Sequence, residues 1–367
     1  MTAALPTWGK RAAIVAGAAG VVAAGAAVGL AAERYAVGRS FRSAHDLEPA
    51  EPFGELRGTV VPVTATDGVR LRVEVEGLAA GSRRTPTVTV VFCHGLALTQ
   101  DSWHYQRRDL SDLAEDGGRL VFWDQRGHGR SARGDAEHAT IDQLGKDLFA
   151  VLKATAPKGP VVLVGHSMGG MTIMALADEH PELFGERVVA VALIATSPGK
   201  LAEVTFGVPA AAGRALRRLA PKALTALNRR PALVARGRSL GADIEFVFTK
   251  RYSFATDVPP ALVLFVSRMH DQTPLDVLAE LFPAFDAHDK LAALDVLNGV
   301  ETLVLGGEQD LMTPADHSRE IVAQVPGAEL AILPEAGHLV MLEHHDVVTD
   351  HLRDLVERAL RHRTATA

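Results

Sequence analysis

The stretch Val161-Val-Leu-Val-Gly-His-Ser-Met-Gly-Gly170, continued by Met171-Thr-Ile-Met-Ala-Leu-Ala-Asp178, decides how this chain is read. Four apolar, mostly β-branched residues at 161–164 spell a buried strand, and the run from Met171 spells a helix. Only Gly165-His166-Ser167-Met168-Gly169 lies between them. A strand that turns this sharply into a helix holds its central residue in strained backbone geometry, so its flanks must lack bulk, as Gly165 and Gly169 do. Ser167 is then carried at the apex with its hydroxyl in a cleft. The helix start beneath it offers free N–H groups and the positive end of the helix dipole, so the Met168 amide is placed to donate to an oxyanion beside Ser167. G-x-S-x-G alone also fits an ordinary turn; its position between strand and helix makes Ser167 a candidate nucleophile.

Other stretches repeat the strand-then-loop pattern. Thr87-Val-Thr-Val-Val-Phe92 ends in Cys93-His94-Gly95-Leu96, and Leu120-Val-Phe-Trp-Asp124 leads into Gln125-Arg-Gly-His-Gly-Arg-Ser131. Thr302-Leu-Val-Leu-Gly306 ends at Gly307-Glu308-Gln309-Asp310, and Glu329-Leu-Ala-Ile-Leu-Pro334 precedes Glu335-Ala336-Gly337-His338. On these motifs, over residues 58–362, the sequence resembles the α/β-hydrolase fold family. The resemblance implies Ser167 as nucleophile, Asp310 as acid and His338 as base, in the family's chain order, with an oxyanion hole from the amides of Leu96 and Met168. Serine is a poor nucleophile at neutral pH and needs a base; the acid would hold the imidazole tautomer and stabilise the imidazolium. Glu308 is the runner-up acid. Some members draw the acid from the loop after the preceding core strand, here Ala195-Thr-Ser-Pro-Gly199, which has no carboxylate and so favours Asp310.

The resemblance also bounds the chemistry. Epoxide hydrolases and haloalkane dehalogenases of this family attack with Asp at the elbow, so Ser167 points to acyl transfer through a covalent ester. Carboxylesterase- or lipase-like cleavage of a small-molecule or lipid ester is the first choice. An acyltransferase, a C–C hydrolase or a cofactor-free peroxidase on the same triad is the alternative, and a ligand-binding protein without turnover the further one. No cofactor and no metal is expected.

Around the elbow, strands at 59–64 and 69–75 alternate about Asp67-Gly68 as a hairpin, and strands near 87–92, 119–124, 160–164 and 188–194 alternate with helices near 102–114 and 141–155. The predicted fold is therefore α/β: a mostly parallel central sheet with helices on both faces. Residues 198–291 lose the alternation and read as a helical lid interrupted by prolines, after which a strand, a helix, a strand and a closing helix resume. The domain expectation is an N-terminal segment 1–40, a linker 41–57, a core at 58–197 and 292–362, the lid 198–291, and a tail 363–367. Within the lid, the apolar run 261–266 reads either as an acyl-pocket wall or as a buried core helix.

Residues 12–32 hold no charged side chain and would span about 31 Å as a helix, enough for a hydrocarbon core. That predicts membrane association through a single-pass anchor, with a cleaved signal peptide and secretion as the alternative, although Ala and Gly make insertion only marginally favourable. Residues 213–238 carry eight basic and no acidic side chains, which suits an anionic surface or a solvated helix face. The net charge of −6 argues against nucleic acid, and one cysteine, Cys93, forms no internal disulfide; its strand setting makes it a small buried hydrophobe. His338, His344, His345 and His351 lack metal-ligand spacing, and Gly127-His-Gly129 reads as a tight turn and not a phosphate loop.

Overall fold

The computed structural model describes residues 51–207 and 248–366, together with Ala211 and Leu219. Eight strands form one sheet in the order β1-β2-β4-β3-β5-β6-β7-β8. They are β1 (Thr59–Thr64), β2 (Arg70–Gly77), β3 (Thr89–Cys93), β4 (Arg119–Trp123), β5 (Val161–His166), β6 (Val188–Ile194), β7 (Glu301–Gly307) and β8 (Glu329–Leu333). Strand β2 pairs antiparallel with both its neighbours, and the pairs from β4 to β8 are parallel.

The apolar runs of the middle strands follow from burial on both faces. Val90, Phe92, Val162 and Val164 pack into one core, while Val91, Cys93, Val161 and Leu163 pack into another, because alternate side chains leave the sheet on opposite sides. Cys93 behaves as a small hydrophobe there: burial pushes its thiol up to about 12, against a weak bond from the Trp123 indole.

The helices described from end to end are α1 (His104–Asp109), α2 (Ser111–Glu115), α3 (Ile141–Thr155), α4 (Met168–Glu179), α5 (Pro260–Gln272), α6 (Leu275–Ala287), α7 (Ala315–Gln324), α8 (Val340–Glu343) and α9 (His345–Thr366). The single helix expected near 102–114 is instead a 3-10 turn and two short helices. They break at Leu110, which leaves helical geometry while its side chain is fully buried. Gly127-His-Gly129 is a tight turn: both glycines have positive φ, and a Cβ on Gly129 would lie 2.4 Å from Asp124 Oδ2.

The membrane reading is corrected. No helix among the described residues is long and apolar enough to cross a membrane. The run at 12–32 that motivated a single-pass anchor or a secretion signal, and the basic run at 213–238, lie outside the described residues. An Ala/Gly-rich run carries little insertion energy per residue, so length alone was a weak ground for a transmembrane helix, and the membrane assignment is withdrawn. The run 261–266 belongs to a core helix, α5, whose Leu262, Val263, Phe265 and Val266 pack with Phe92 and Trp103.

Candidate active site

The sheet order brings the site together. Crossovers from β3 run toward β4, whereas those from β5 run toward β6, so the neighbours β3 and β5 flank the point where the winding reverses and their C-terminal loops diverge to leave a crevice. Cys93 pairs with Gly165 across them, which sets the Gly95-Leu96 loop beside Ser167. Ser167 has φ 51° and ψ −118°, the strained geometry expected of the apex. Its amide donates to Ile194 O at 2.9 Å and its carbonyl accepts from Thr196 Oγ1 at 2.7 Å, so the end of β6 fixes the turn.

The flanking glycines are required by close approach. A Cβ on Gly165 would lie 2.6 Å from the Gly169 backbone, and one on Gly169 only 2.0 Å from Cys93 O. The amide of Met168 opens α4 and has no acceptor within the helix. Leu96 sits in a turn closed by the Leu98 amide on Gly95 O at 3.3 Å, with Ala97 at φ 59°. His94 locks this turn from below: its Nδ1–H donates to Gly95 O at 2.7 Å and its Nε2 accepts from the Gln125 amide at 2.9 Å. Burial lowers His94 to about 4, so it is neutral, as that bonding pattern requires.

The other two candidate residues come from loops after β7 and β8, which are tied by the amides of Glu308 to Leu333 O and Gln309 to Ala336 O. His338 Nε2 lies 3.0 Å from Ser167 Oγ, and its Nδ1 lies 2.8 Å from Asp310 Oδ2. The network fixes the tautomer: Nδ1–H donates to the carboxylate, and the serine hydroxyl donates to Nε2. Asp310 also accepts from the amides of Met312 and Thr313 and from Thr313 Oγ1. Burial pushes its carboxyl upward, but the His338 charge and these bonds outweigh burial and hold it below the ordinary range. Glu308, the runner-up, is exposed and lies outside the Ser167–His338–Asp310 contacts. Ser167, Asp310 and His338 are thus brought together, and Leu96 and Met168 border Ser167.

A cavity of about 510 Å3 opens over Ser167. Its wall includes Leu278, Phe282 and Phe285 of α6, with Phe206, Phe248 and Met171. Among the described lining residues there is no Lys, Arg, Asp or Glu. Of the two readings of 261–266, pocket wall or core helix, the structure shows the second; the wall comes instead from α6, which sequence reasoning did not single out, though the i, i+4, i+7 spacing of Leu278, Phe282 and Phe285 marks a single helix face. Sequence reasoning also missed Thr313, the second support of Asp310. The four histidines near the C-terminus do not cluster: His344 bonds Glu335 O, His351 pairs with Glu329, and His345 stacks on Tyr105.

The chain belongs to the alpha/beta hydrolase family, which matches residues 90–351. It is similar to the sn-1-specific diacylglycerol lipase ABHD11 of Mus musculus, 28% identical over 68% of this chain and 75% of that protein. It is also similar to the 2-hydroxy-6-oxo-6-phenylhexa-2,4-dienoate hydrolase of Burkholderia cepacia, 26% identical over 70% of this chain and 83% of that protein. Among solved structures, a thermophilic esterase from Thermogutta terrifontis shares the fold with a TM-score of 0.61 and 22% identity, covering 82% of this chain and 99% of that one.

Proposed function

We propose that this chain is a serine hydrolase that cleaves an uncharged carboxylic ester through an acyl-enzyme. The observation that carries the reading is the unbroken chain Ser167 Oγ, His338, Asp310, at 3.0 and 2.8 Å, on the floor of an apolar cavity. Ser167 Oγ attacks the carbonyl carbon as its proton passes to His338 Nε2. The oxyanion is held by the amides of Leu96 and Met168. Collapse breaks the bond to the alcohol, which leaves with the proton from Nε2. Water, deprotonated by the same nitrogen, then attacks the ester, and the acid departs as Ser167 regains its proton. Asp310 keeps the imidazole oriented and stabilises its cation.

The cavity wall favours this over hydrolysis of an anionic dienoate. The described residues of the wall offer no Lys or Arg to pair with it, and a carboxylate drawn in unpaired loses several kcal/mol of hydration. Residues 198–291 are read as the lid, with α5 and α6 among its described helices. The test is a panel of p-nitrophenyl esters from acetate to palmitate, with fluorophosphonate labelling of Ser167. Turnover and labelling are expected. Labelling without turnover across the panel would promote acyl transfer or C–C hydrolysis, and no labelling of folded protein would favour a binding role.

A further inference from the structure

The loop that carries His338 is held from two sides. On the sheet side, His166 Nε2–H donates to the His338 carbonyl at 2.9 Å. On the other side lies the segment Ser253-Phe254-Ala255-Thr256, part of the insertion between β6 and β7. The Leu339 amide donates to Ser253 O at 2.9 Å, and a Cβ on Gly337 would fall 2.8 Å from that same oxygen. Both residues flanking His338 are therefore pressed against the insertion.

Glu343, the last residue of α8, closes this contact. Its Oε1 accepts from the amides of Ala255 and Thr256 at 2.8 and 2.6 Å and from Thr256 Oγ1 at 2.7 Å. Its Oε2 accepts from the Gly337 amide at 2.6 Å. Four donors therefore converge on one carboxylate, three from the insertion sharing Oε1 and one from the residue before His338 on Oε2. Charge-assisted bonds of this length are the stronger kind, and they aim at backbone groups that cannot turn away.

We propose that Glu343 is a positioning residue that clamps the insertion to the His338 loop, so that the base comes into register with Ser167 only when the insertion is seated. The inference rests on the hydrolase reading above. The insertion segment also supplies Tyr252 and Ser253 to the cavity wall, so closing the cavity and placing the base become one event. A glutamine at 343 keeps the shape but turns one oxygen into an N–H donor. Facing it toward Gly337 sacrifices one bond, whereas facing it toward residues 255–256 sacrifices three, so the His338 side is the one that loosens. Thr256→Val removes a single donor from the other side of the same clamp.

The experiment uses the full chain and three measurements: the fluorophosphonate labelling rate at Ser167, kcat and KM for a short p-nitrophenyl ester, and the melting temperature. Glu343→Gln should label and turn over about 10- to 100-fold more slowly with KM within about threefold, since a misplaced base costs rate and not ground-state binding. Thr256→Val should be slowed a few-fold, and the double variant should be no slower than Glu343→Gln alone, because both open one clamp. Wild-type rates in Glu343→Gln, or effects that multiply, would overturn the proposal while labelling of the parent protein upholds the hydrolase reading. If Glu343→Gln does not fold, Thr256→Val decides: a wild-type rate overturns the proposal. A parent protein that is folded but unlabelled removes the hydrolase reading, and this inference with it.

Discussion

His166 and His338 face each other with ring centroids 4.8 Å apart, and the Nε2–H of the first donates to the backbone carbonyl of the second. The elbow therefore supports the candidate base as well as the candidate nucleophile, from adjacent residues. Burial foremost, with the charge of His338, lowers His166 to about 3, so it stays a neutral donor. His166→Phe keeps an aromatic ring but strands the His338 carbonyl. We expect kcat to fall about tenfold and stability to fall by about 1–3 kcal/mol, the cost of a buried unpaired group. Urea unfolding and steady-state kinetics check both. Unchanged kcat with the stability loss would reduce His166 to a packing residue.

The triad makes a graded prediction. Ser167→Ala and His338→Ala should each abolish measurable turnover with little change in melting temperature, because both side chains border the cavity and not the core. Asp310→Asn should lose orders of magnitude but less than either, through the wrong imidazole tautomer. Glu308→Gln should retain activity, since Glu308 is exposed. Near-normal kcat/KM in Asp310→Asn would remove Asp310 from the acid role.

Much of this site is written locally. The elbow at 165–169 announces itself because a strand, a two-glycine turn and a helix are contiguous, and β6 at Val188–Ile194 and α3 at Ile141–Thr155 follow from unbroken apolar or 3.6-periodic runs. What stayed hidden depends on pairs distant in sequence. The clamp between Glu343 and Thr256 spans 87 residues and leaves no periodic trace. The same holds for the cavity wall: 261–266 and 275–287 are both apolar helices, and only tertiary packing sends the first into the core with Phe92 and sets the second over Ser167. The run at 12–32 has the length of a membrane span but an Ala/Gly content that gives little insertion energy per residue, and length alone does not make a transmembrane helix.

The described cavity wall, which carries no Lys, Arg, Asp or Glu, predicts discrimination by charge. Against p-nitrophenyl butyrate, a p-nitrophenyl ester whose acyl chain ends in a carboxylate should show kcat/KM lower by about 100-fold or more, the rate equivalent of about 3 kcal/mol of uncompensated desolvation. Because Leu278 and Phe282 line the wall, Phe282→Arg should narrow the difference by supplying a cation. Equal kcat/KM for the two esters in the parent protein would show that the acyl chain does not meet an uncharged wall.

The buried histidines predict loss of stability in mild acid. Burial, the largest cause in each, lowers His94 to about 4 and both His128 and His166 to about 3, with neighbouring histidine charges adding to the last two. In the unfolded chain a histidine titrates near 6.5. Below that value the unfolded state binds protons that the folded state refuses, so the stability these groups confer is complete above about pH 6.5 and is lost as the pH falls toward their folded values. Each contributes up to about 1.4 kcal/mol per pH unit in that window, and three together make a slope of about 4 kcal/mol per unit at most. Asp310, held below the ordinary carboxylate range, adds its own loss only under about pH 4; above that the loss comes from the lowered histidines, His270 among them, and is partly offset by Asp101, Asp124 and Asp147, whose carboxyls burial raises so that the folded state takes up their protons first. His128 is the one to remove, because its Nε2 has no partner and its Nδ1 bonds only the Arg126 carbonyl. His128→Phe should lower stability at pH 7.5 yet flatten the slope by about one histidine's share. Urea midpoints measured from pH 7.5 to 4.5 read both effects, and a pH dependence in His128→Phe identical to that of the parent protein would show that this imidazole does not titrate with unfolding.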